Sequence, residues 1–395
     1  MRTLLAVLAG TASVALWLRS RRRSALQASS TPASSAAPPV APLTPPADPA
    51  VWGVARATRH RYELAQPPPA DAGAEGVLEA VDLLVAPALA AAAEAADEGE
   101  PLVVYVLDPE PVLFGAAALH CYAASGYYSR VPTGVPEALY SRIHVVGIGH
   151  EAASFGATAW QWQAPRLRHM RRRDFPPLDH PVLRPGGRVP NAAAARFVKA
   201  LEAIFEYTEA NLLPLHSSMN SSSGGGGGGG GGGRRPRRAL LGASYSASVA
   251  LQLLLRSPTA IDDFILGSPS IPFDPELLEW LTEARVPLAA AADARAGAFI
   301  AYGALEREDG PAQPSAGSGN TCRVANVHRG IPDASHALAE LLQDRGLEVD
   351  GAHEVAGEDH TSLKLTLVSR GIGWCVSRAA SAAQAQATGG SATNK

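Results

Sequence analysis

The amino-acid sequence predicts an α/β fold in which a mostly parallel central sheet carries helices on both faces. From residue 50 onward, short apolar runs typical of buried strands alternate with longer segments of helical periodicity. Such alternation is typical of parallel strands that are joined by helical crossovers. Hydrophobic residues make up 46% of the chain, which is enough for a sizeable core.

Seven segments are predicted as strands because they are short, apolar or β-branched, and end at polar or glycine residues. In chain order they are "ATRHRYELAQ", "PLVVYVLD", "RIHVVGIG", "RRALLG", "DFILGS", "AGAFIAYG" and "LEVDGAHEV". Helices are predicted over about 75–98, with an interruption at Pro87, and over 195–213, about 274–284 and 331–345. Two more are predicted, one directly after "RRALLG" and one after the last strand.

The first 49 residues are predicted to lie outside the folded domain. The apolar run Thr3–Leu18 lies between Arg2 and the basic cluster Arg19–Arg23, and a linker rich in Ser, Pro and Ala follows. The run is shorter than the roughly 20 residues that a membrane span needs. An apolar run of this length beside a basic cluster is instead typical of a targeting or short anchoring segment. We predict an organelle-targeting or membrane-anchoring role, with any membrane contact only through residues 3–18.

One domain is predicted over 50–380, followed by a disordered tail at 381–395. Residues 217–236 include ten consecutive glycines, Gly224–Gly233, and are predicted to be a disordered insert. The insert lacks the spaced glycines and the Lys-Ser/Thr pair of a phosphate-binding loop. Because it joins a helix to the next strand, we expect it at the amino ends of the strands, away from the carboxyl ends where ligands bind.

Charge and cysteine content argue against several classes of function. The net charge is −3, so no nucleic-acid partner is indicated. Cys121, Cys322 and Cys375 are odd in number and too widely spaced for a zinc site, so free or buried thiols are predicted. No metal and no organic cofactor is predicted.

The stretch "LLGASYSASVALQLLL", residues 240–255, contains a candidate nucleophile, Ser244. A serine of this kind lies on a sharp turn between a strand and a helix, and small residues flank it because the helix crosses close to the strand. Gly242 and Ser246 meet the size requirement, and Ala247 is also small. The pattern is weak in a chain rich in Gly and Ser, but a predicted strand and helix on either side strengthen it.

A nucleophilic serine needs a base, and the base needs an orienting acid. When the chain order is nucleophile, acid, base, the base follows the last strand, which selects His360. His353 competes, although its place within a strand favours a structural or surface role. Glu306 is the acid nearest the end of "AGAFIAYG" and is the candidate orienter; a solvated acidic loop is the alternative.

Five stretches, taken in order, carry a resemblance to a known family. They are "LVVYVLDPEPVLFGAA", "IHVVGIGHE", "RRRDFPP", "LLGASYSASVALQLLLRSPTAIDDFILGSPSI" and "GEDHTSLKLTLVSRGIGW". Over roughly residues 100–375, apart from the glycine insert, the chain resembles an esterase branch of the α/β-hydrolases. That branch contains esterase D, S-formylglutathione hydrolase and, most similar, the bacterial and fungal siderophore esterases. The resemblance implies the α/β-hydrolase fold, with Ser244 as nucleophile, His360 as general base and acid, and Glu306 as a candidate triad acid.

The resemblance also implies an oxyanion hole and a substrate contact. The backbone N–H of Tyr245, directly after the nucleophile, would be one oxyanion donor. The family's glycine after "LD" is Pro109 here, which has no N–H, so Glu110 is predicted as the second donor. Arg173 of "RRRDFPP" would bind a substrate carbonyl or carboxylate. The alternative is that Arg173 forms a local salt bridge with Asp174.

The sequence thus predicts a serine hydrolase that cleaves a small-molecule carboxylic ester through an acyl-enzyme, similar to siderophore esterases. Two alternatives stay open. The same site can pass the acyl group to an alcohol or sugar, which would make the protein an acyltransferase. Pro109 and the bulkier elbow, in which Ser246 and Ala247 replace glycines, instead suggest a catalytically impaired fold that serves in binding.

Overall fold

The described residues of the chain fold around one mixed sheet. A computed structural model describes residues 57–64, 80–88, 100–108, 111–124, 137–140, 142–150, 175, 192–215, 235–283, 296–307 and 330–389. The strands in these segments are β1 Thr58–Glu63, β2 Ala80–Ala86, β3 Leu102–Leu107, β4 Ile143–His150, β5 Arg237–Ala243, β6 Asp263–Gly267, β7 Gly297–Gly303 and β8 Glu348–Val355. They form one eight-stranded sheet in the order β1-β2-β4-β3-β5-β6-β7-β8. β2 pairs antiparallel with β1 and β4, and every other pairing is parallel, which confirms the predicted α/β class.

Helices cover both faces of this sheet. Their bounds are α1 Pro111–Ala124, α2 Glu137–Tyr140, α3 Ala192–Asn211, α4 Tyr245–Arg256, α5 Pro275–Glu283, α6 Ile331–Asp344 and α7 Leu363–Gly389. Short 3₁₀ turns follow β6 at Ile271–Phe273 and β7 at Ala304–Glu306. The helices predicted over 195–213, 274–284 and 331–345 and the two predicted after β5 and after β8 are confirmed.

Alternate side chains of the central strands enter two separate apolar layers. In β3, Val103, Tyr105 and Leu107 pack with residues of α3, α4, α5 and α6. Leu102, Val104 and Val106 pack on the other face with residues of α1, α2 and α7. Because both faces are covered, the central strands consist of continuous apolar runs rather than alternating ones. This explains why the central strands could be predicted from the sequence.

The prediction of a helix over about 75–98 is wrong in its central part, where β2 forms. All seven residues of β2 are buried, and the strand lies between β1 and β4. A short run buried on both faces has no periodicity that separates a strand from a helix, and its alanine content favoured the wrong choice. Asp82 in this strand is buried beside Arg59 of β1, with 2.5 Å between carboxylate and guanidinium. That pair compensates the charge in the interior.

The carboxyl-terminal helix is longer than predicted. α7 continues to Gly389, whereas the sequence predicted a disordered tail from residue 381. Its first half packs on the sheet through Leu367, Ile372 and Val376. Its second half is rich in alanine and glutamine, which have high helix propensity, so the helix extends beyond its packed part.

Acidic side chains neutralise the basic run that leads into β5. Arg237 forms a bidentate pair with Asp263, at 2.6 and 2.9 Å, and both side chains are buried. Arg238 forms a second bidentate pair with Glu209 of α3, at 2.6 and 2.7 Å. These pairs fix the start of β5 at the amino end of the sheet. Residues 1–49 and 217–234, where the targeting segment and most of the insert are predicted, lie outside the described residues.

No helix within the described ranges combines the length and apolar character needed to cross a membrane.

Candidate active site

Ser244 lies on a strained turn between β5 and α4. Its backbone has φ 60° and ψ −125°, a conformation that residues with a side chain rarely adopt. The turn is fixed on both sides, because the Ser244 N–H donates to Gly267 O of β6 at 2.8 Å and the Ala247 N–H donates to Ser244 O at 3.1 Å. Ser244 is partly exposed. This is the backbone geometry that a nucleophile elbow requires.

The helix crosses the strand closely at Gly242. A Cβ atom at Gly242 would lie 2.5 Å from Ser246 O, so only glycine fits there. Ser246, two residues after the nucleophile, is accommodated by hydrogen bonding. Its Oγ accepts from the Ala243 N–H and donates to Ala243 O, both at 2.8 Å. The elbow therefore tolerates serine in place of glycine because the added hydroxyl finds both of its partners within the turn.

We predict that Gly242→Ala lowers the free energy of unfolding by about 2 kcal/mol or more, because the new methyl group meets backbone atoms that cannot rotate away. Chemical denaturation followed by circular dichroism measures this. Gly373→Ala in α7 is the matched control, since a Cβ there meets only Tyr140 Oη at the ordinary distance of 3.5 Å. Equal unfolding free energies for the two variants would contradict the close crossing at the elbow.

Glu306 and His360 are brought together by the loops that follow β7 and β8. His360 Nδ1 lies 3.0 Å from Glu306 Oε2, and the two side chains are 20% and 2% exposed. The loops touch at Gly303, where a Cβ would lie 2.4 Å from Glu358 O. The Leu305 N–H donates to the same carbonyl at 3.0 Å. The separation of acid and base is thus set by direct backbone contact.

Three donors surround the Glu306 carboxylate. Ser268 Oγ donates to Oε1 at 2.5 Å, and the Gly303 N–H donates to Oε1 at 2.9 Å. His360 Nδ1 lies 3.0 Å from Oε2. An ionised carboxylate only accepts hydrogen bonds, so the proton of neutral His360 lies on Nδ1 and Nε2 is an acceptor. This is the tautomer that can remove a proton from a serine hydroxyl.

The same contacts keep Glu306 ionised in the interior. Burial alone would raise its pKa, but the hydrogen bond and charge of His360 and the hydrogen bonds from Ser268 and Gly303 outweigh burial, so the pKa lies below its usual value of 4.5. A lowered pKa means that the folded state prefers the carboxylate. Its contribution to stability is therefore present above about pH 4.5 and is lost as the pH falls through the pKa of the folded state.

Two hydroxyl groups that were not assigned from the sequence join these parts. Ser268 and Ser270, in the turn after β6, are both 1% exposed. Ser268 contacts Glu306, as described above, and Ser270 Oγ lies 3.1 Å from Ser244 Oγ. The segment "GSPSI" could have indicated them from the sequence. Its serines directly follow β6, the next strand in the chain after the elbow, so they lie at the same edge of the sheet as Ser244.

The remaining candidate residues are placed only in part. Tyr245 is the first residue of α4 and directly follows Ser244. Glu110 and Arg173 lie outside the described residues. His353 lies on β8 and is stacked on Phe299, with 5.0 Å between the ring centroids. Within the described segments, no group of three or more His, Cys, Asp or Glu side chains is arranged to bind a metal ion.

Comparisons with known proteins agree with this architecture. No protein-family model matches the sequence, and no curated protein matches it significantly. Among solved structures, siderophore hydrolase EstA from Aspergillus nidulans is similar with a TM-score of 0.55 and 18% identity, over 88% of this chain and 99% of that chain. Siderophore hydrolase EstB from the same organism gives a TM-score of 0.53 and 18% identity, over 87% and 96%.

Strand order, the antiparallel β2 and these structural neighbours lead to one conclusion about the fold. The chain has the α/β-hydrolase fold, as the resemblance in its sequence implied, and this fold is similar to that of the two siderophore hydrolases.

Proposed function

We propose that this protein is a serine hydrolase that cleaves carboxylic esters through an acyl-enzyme, with Ser244, His360 and Glu306 as its catalytic residues. One observation carries the proposal. The turn after β6 contacts the hydroxyl of Ser244 at one end and the carboxylate of Glu306 at the other, and Glu306 in turn contacts His360. The three candidate residues therefore belong to one connected group at the carboxyl edge of the sheet, where ligands bind in such folds.

We propose that the reaction then proceeds in two steps. His360 Nε2 takes the proton of Ser244 as Oγ attacks the ester carbonyl, and the imidazolium then protonates the departing alcohol. Water, activated by the same Nε2, attacks the acyl-enzyme, and collapse of the intermediate returns the proton to Ser244 and releases the acid. Glu306 stays ionised throughout and stabilises the imidazolium through Nδ1–H.

The oxyanion of each tetrahedral intermediate needs preorganised donors. We propose the backbone N–H of Tyr245 as the first, because the amino end of α4 also places its positive dipole there. The N–H of Glu110 is proposed as the second, because the chain bends sharply at Asp108, between β3 and Glu110. Asp108 has φ 52°, and its N–H donates to Ile148 O at 3.0 Å. Arg173 is proposed to bind the acyl or alcohol part of the substrate.

Siderophore esters are the first substrates to test, because two solved structures with the same fold carry the name siderophore hydrolase. Fold alone does not select an ester, so the panel should pair iron-loaded and iron-free siderophore esters with a small aryl ester. Chromatography of the products identifies the bond that is cleaved. Addition of competing alcohols distinguishes hydrolysis from acyl transfer, since a transferase gives a new ester.

The proposal predicts that a fluorophosphonate probe labels the folded protein at Ser244. Mass spectrometry of the proteolysed protein should place the adduct on the peptide that contains "GASYSAS", and heat-denatured protein should take none. His360→Ala should slow labelling by about 10²–10⁴-fold, the usual contribution of a general base. A folded protein that takes no label would overturn the proposal in favour of a fold used for binding.

A further inference from the structure

Ser270 is fixed against the proposed nucleophile by its backbone as well as by its side chain. Its Oγ lies 3.1 Å from Ser244 Oγ. Its N–H points at Ser244 O, with 3.4 Å between the two atoms. Because Ser270 is only 1% exposed, its hydroxyl is shielded from water where it contacts Ser244 Oγ.

The turn that carries Ser270 is itself immobilised on both sides. Ser268, two residues earlier, adopts φ 40°, its N–H donates to Ala301 O of β7 at 2.8 Å, and its Oγ donates to Glu306. Ile271, directly after, is 1% exposed and packs in the apolar core. The position of the Ser270 hydroxyl is therefore set before any substrate binds, as preorganised catalytic groups require.

The direction of the hydrogen bond between the two hydroxyls decides what Ser270 does. If Ser244 donates, its proton points away from His360 and the serine rests in an inactive state. If Ser270 donates, the proton of Ser244 is available to His360 Nε2, and the donor faces the oxygen on which negative charge develops. A hydrogen bond to a charged oxygen is stronger than one to a neutral hydroxyl, so the second arrangement favours the reacting state.

We propose that Ser270 is a hydrogen-bond donor to Ser244 Oγ that assists both acylation and deacylation; this inference rests on the proposed function. In acylation the O–H bond of Ser244 breaks, its proton passes to His360 Nε2, and the bond from Oγ to the carbonyl carbon forms. In deacylation that bond breaks and Oγ regains the proton from His360. Ser270 keeps its own proton throughout and stabilises the partial charge on Oγ in each transition state.

Ser270→Ala tests the inference. We expect fluorophosphonate labelling and kcat for an aryl ester to fall about 10-fold to 100-fold, with KM nearly unchanged, because the lost interaction strengthens only as charge develops. Ser270→Thr, which keeps a hydroxyl, should recover part of the rate. Ser248→Ala is the matched control, since Ser248 is a fully buried serine of α4 whose Oγ has no hydrogen-bond partner among the described residues. It should label at the wild-type rate.

The outcomes separate this inference from the proposed function. If Ser270→Ala labels at the wild-type rate while Ser244→Ala does not label, the hydrolase stands and the role of Ser270 is wrong. Faster labelling of Ser270→Ala would also overturn the inference, because Ser270 would then be the acceptor that restrains Ser244. If the folded wild type does not label, the proposed function is wrong, and the inference about Ser270 is wrong with it. Thermal unfolding of each variant shows that a slower rate does not come from unfolded protein.

Discussion

Replacement of Ser244 by alanine is expected to reduce turnover of a small aryl ester by about 10⁴-fold or more, to the limit of detection. The oxygen that forms the acyl-enzyme is lost, and no other residue is proposed to form it. The Glu306–His360 pair is expected to stay in place, because Ser268, the Gly303 N–H and His360 Nδ1 hold the Glu306 carboxylate without help from the Ser244 side chain. Initial-rate measurements on purified protein, with a circular dichroism spectrum of each variant, test this.

Ser244→Gly provides a second variant that separates catalysis from strain. Alanine at this position keeps the unfavourable φ of 60°, whereas glycine adopts it readily. Both variants should be inactive, but the glycine variant should be the more stable of the two by about 1–2 kcal/mol. Turnover by either variant within ten-fold of wild type would contradict the role of Ser244. Equal stability of the two would contradict the strained elbow.

Such strain is informative about function because a protein gains no stability from it. The positive φ values at Ser244 and Ser268 occur on neighbouring turns at the carboxyl edge of the sheet, and both residues contact the proposed catalytic group. The strained elbow is the geometry that the proposed hydrolase needs, and fluorophosphonate labelling distinguishes it from the impaired fold that the replacement of glycine by Ser246 suggested.

The backbone elbow at Ser244 could be predicted because it is local in the sequence. An apolar strand, a glycine, a small polar residue and a helix follow one another within "LLGASYSASVALQLLL". The strand β2 could not be predicted in this way, because its position between β1 and β4 depends on partners distant in the chain. Ser268 and Ser270 were missed for a related reason: serine is common in turns, and only the sheet order places these two beside Ser244 and Glu306.

The choice of Glu306 among several nearby acids was open in the sequence, and the contacts of Glu306 support it. Glu306 is the acid at which donors from three different parts of the chain converge, from Ser268, Gly303 and His360. A solvated acidic loop, the alternative considered from sequence, would leave the carboxylate exposed. Glu306 is instead 4% exposed overall. The catalytic role itself stays a prediction, and a substitution by glutamine provides its sharpest test.

We expect Glu306→Gln to reduce kcat by about 10³–10⁴-fold although the side chain keeps its size. The amide has one oxygen and one NH₂ group. Its oxygen should occupy the Oε1 position, where Ser268 and the Gly303 N–H both donate, which turns the NH₂ group toward His360 Nδ1. Nδ1 must then accept, so the imidazole proton moves to Nε2, and Nε2 can no longer take the proton of Ser244.

Glu306→Ala is the comparison that isolates this effect of the tautomer. It removes the carboxylate but imposes no donor on Nδ1, so His360 still populates the tautomer with an acceptor at Nε2. Alanine should therefore leave more activity than glutamine, the reverse of the order expected if only size and packing mattered. Nitrogen NMR of His360 should show the proton on Nδ1 in the wild type and on Nε2 in Glu306→Gln. A glutamine variant that is more active than the alanine variant would show that Glu306 acts by packing rather than by selecting the protonation of His360.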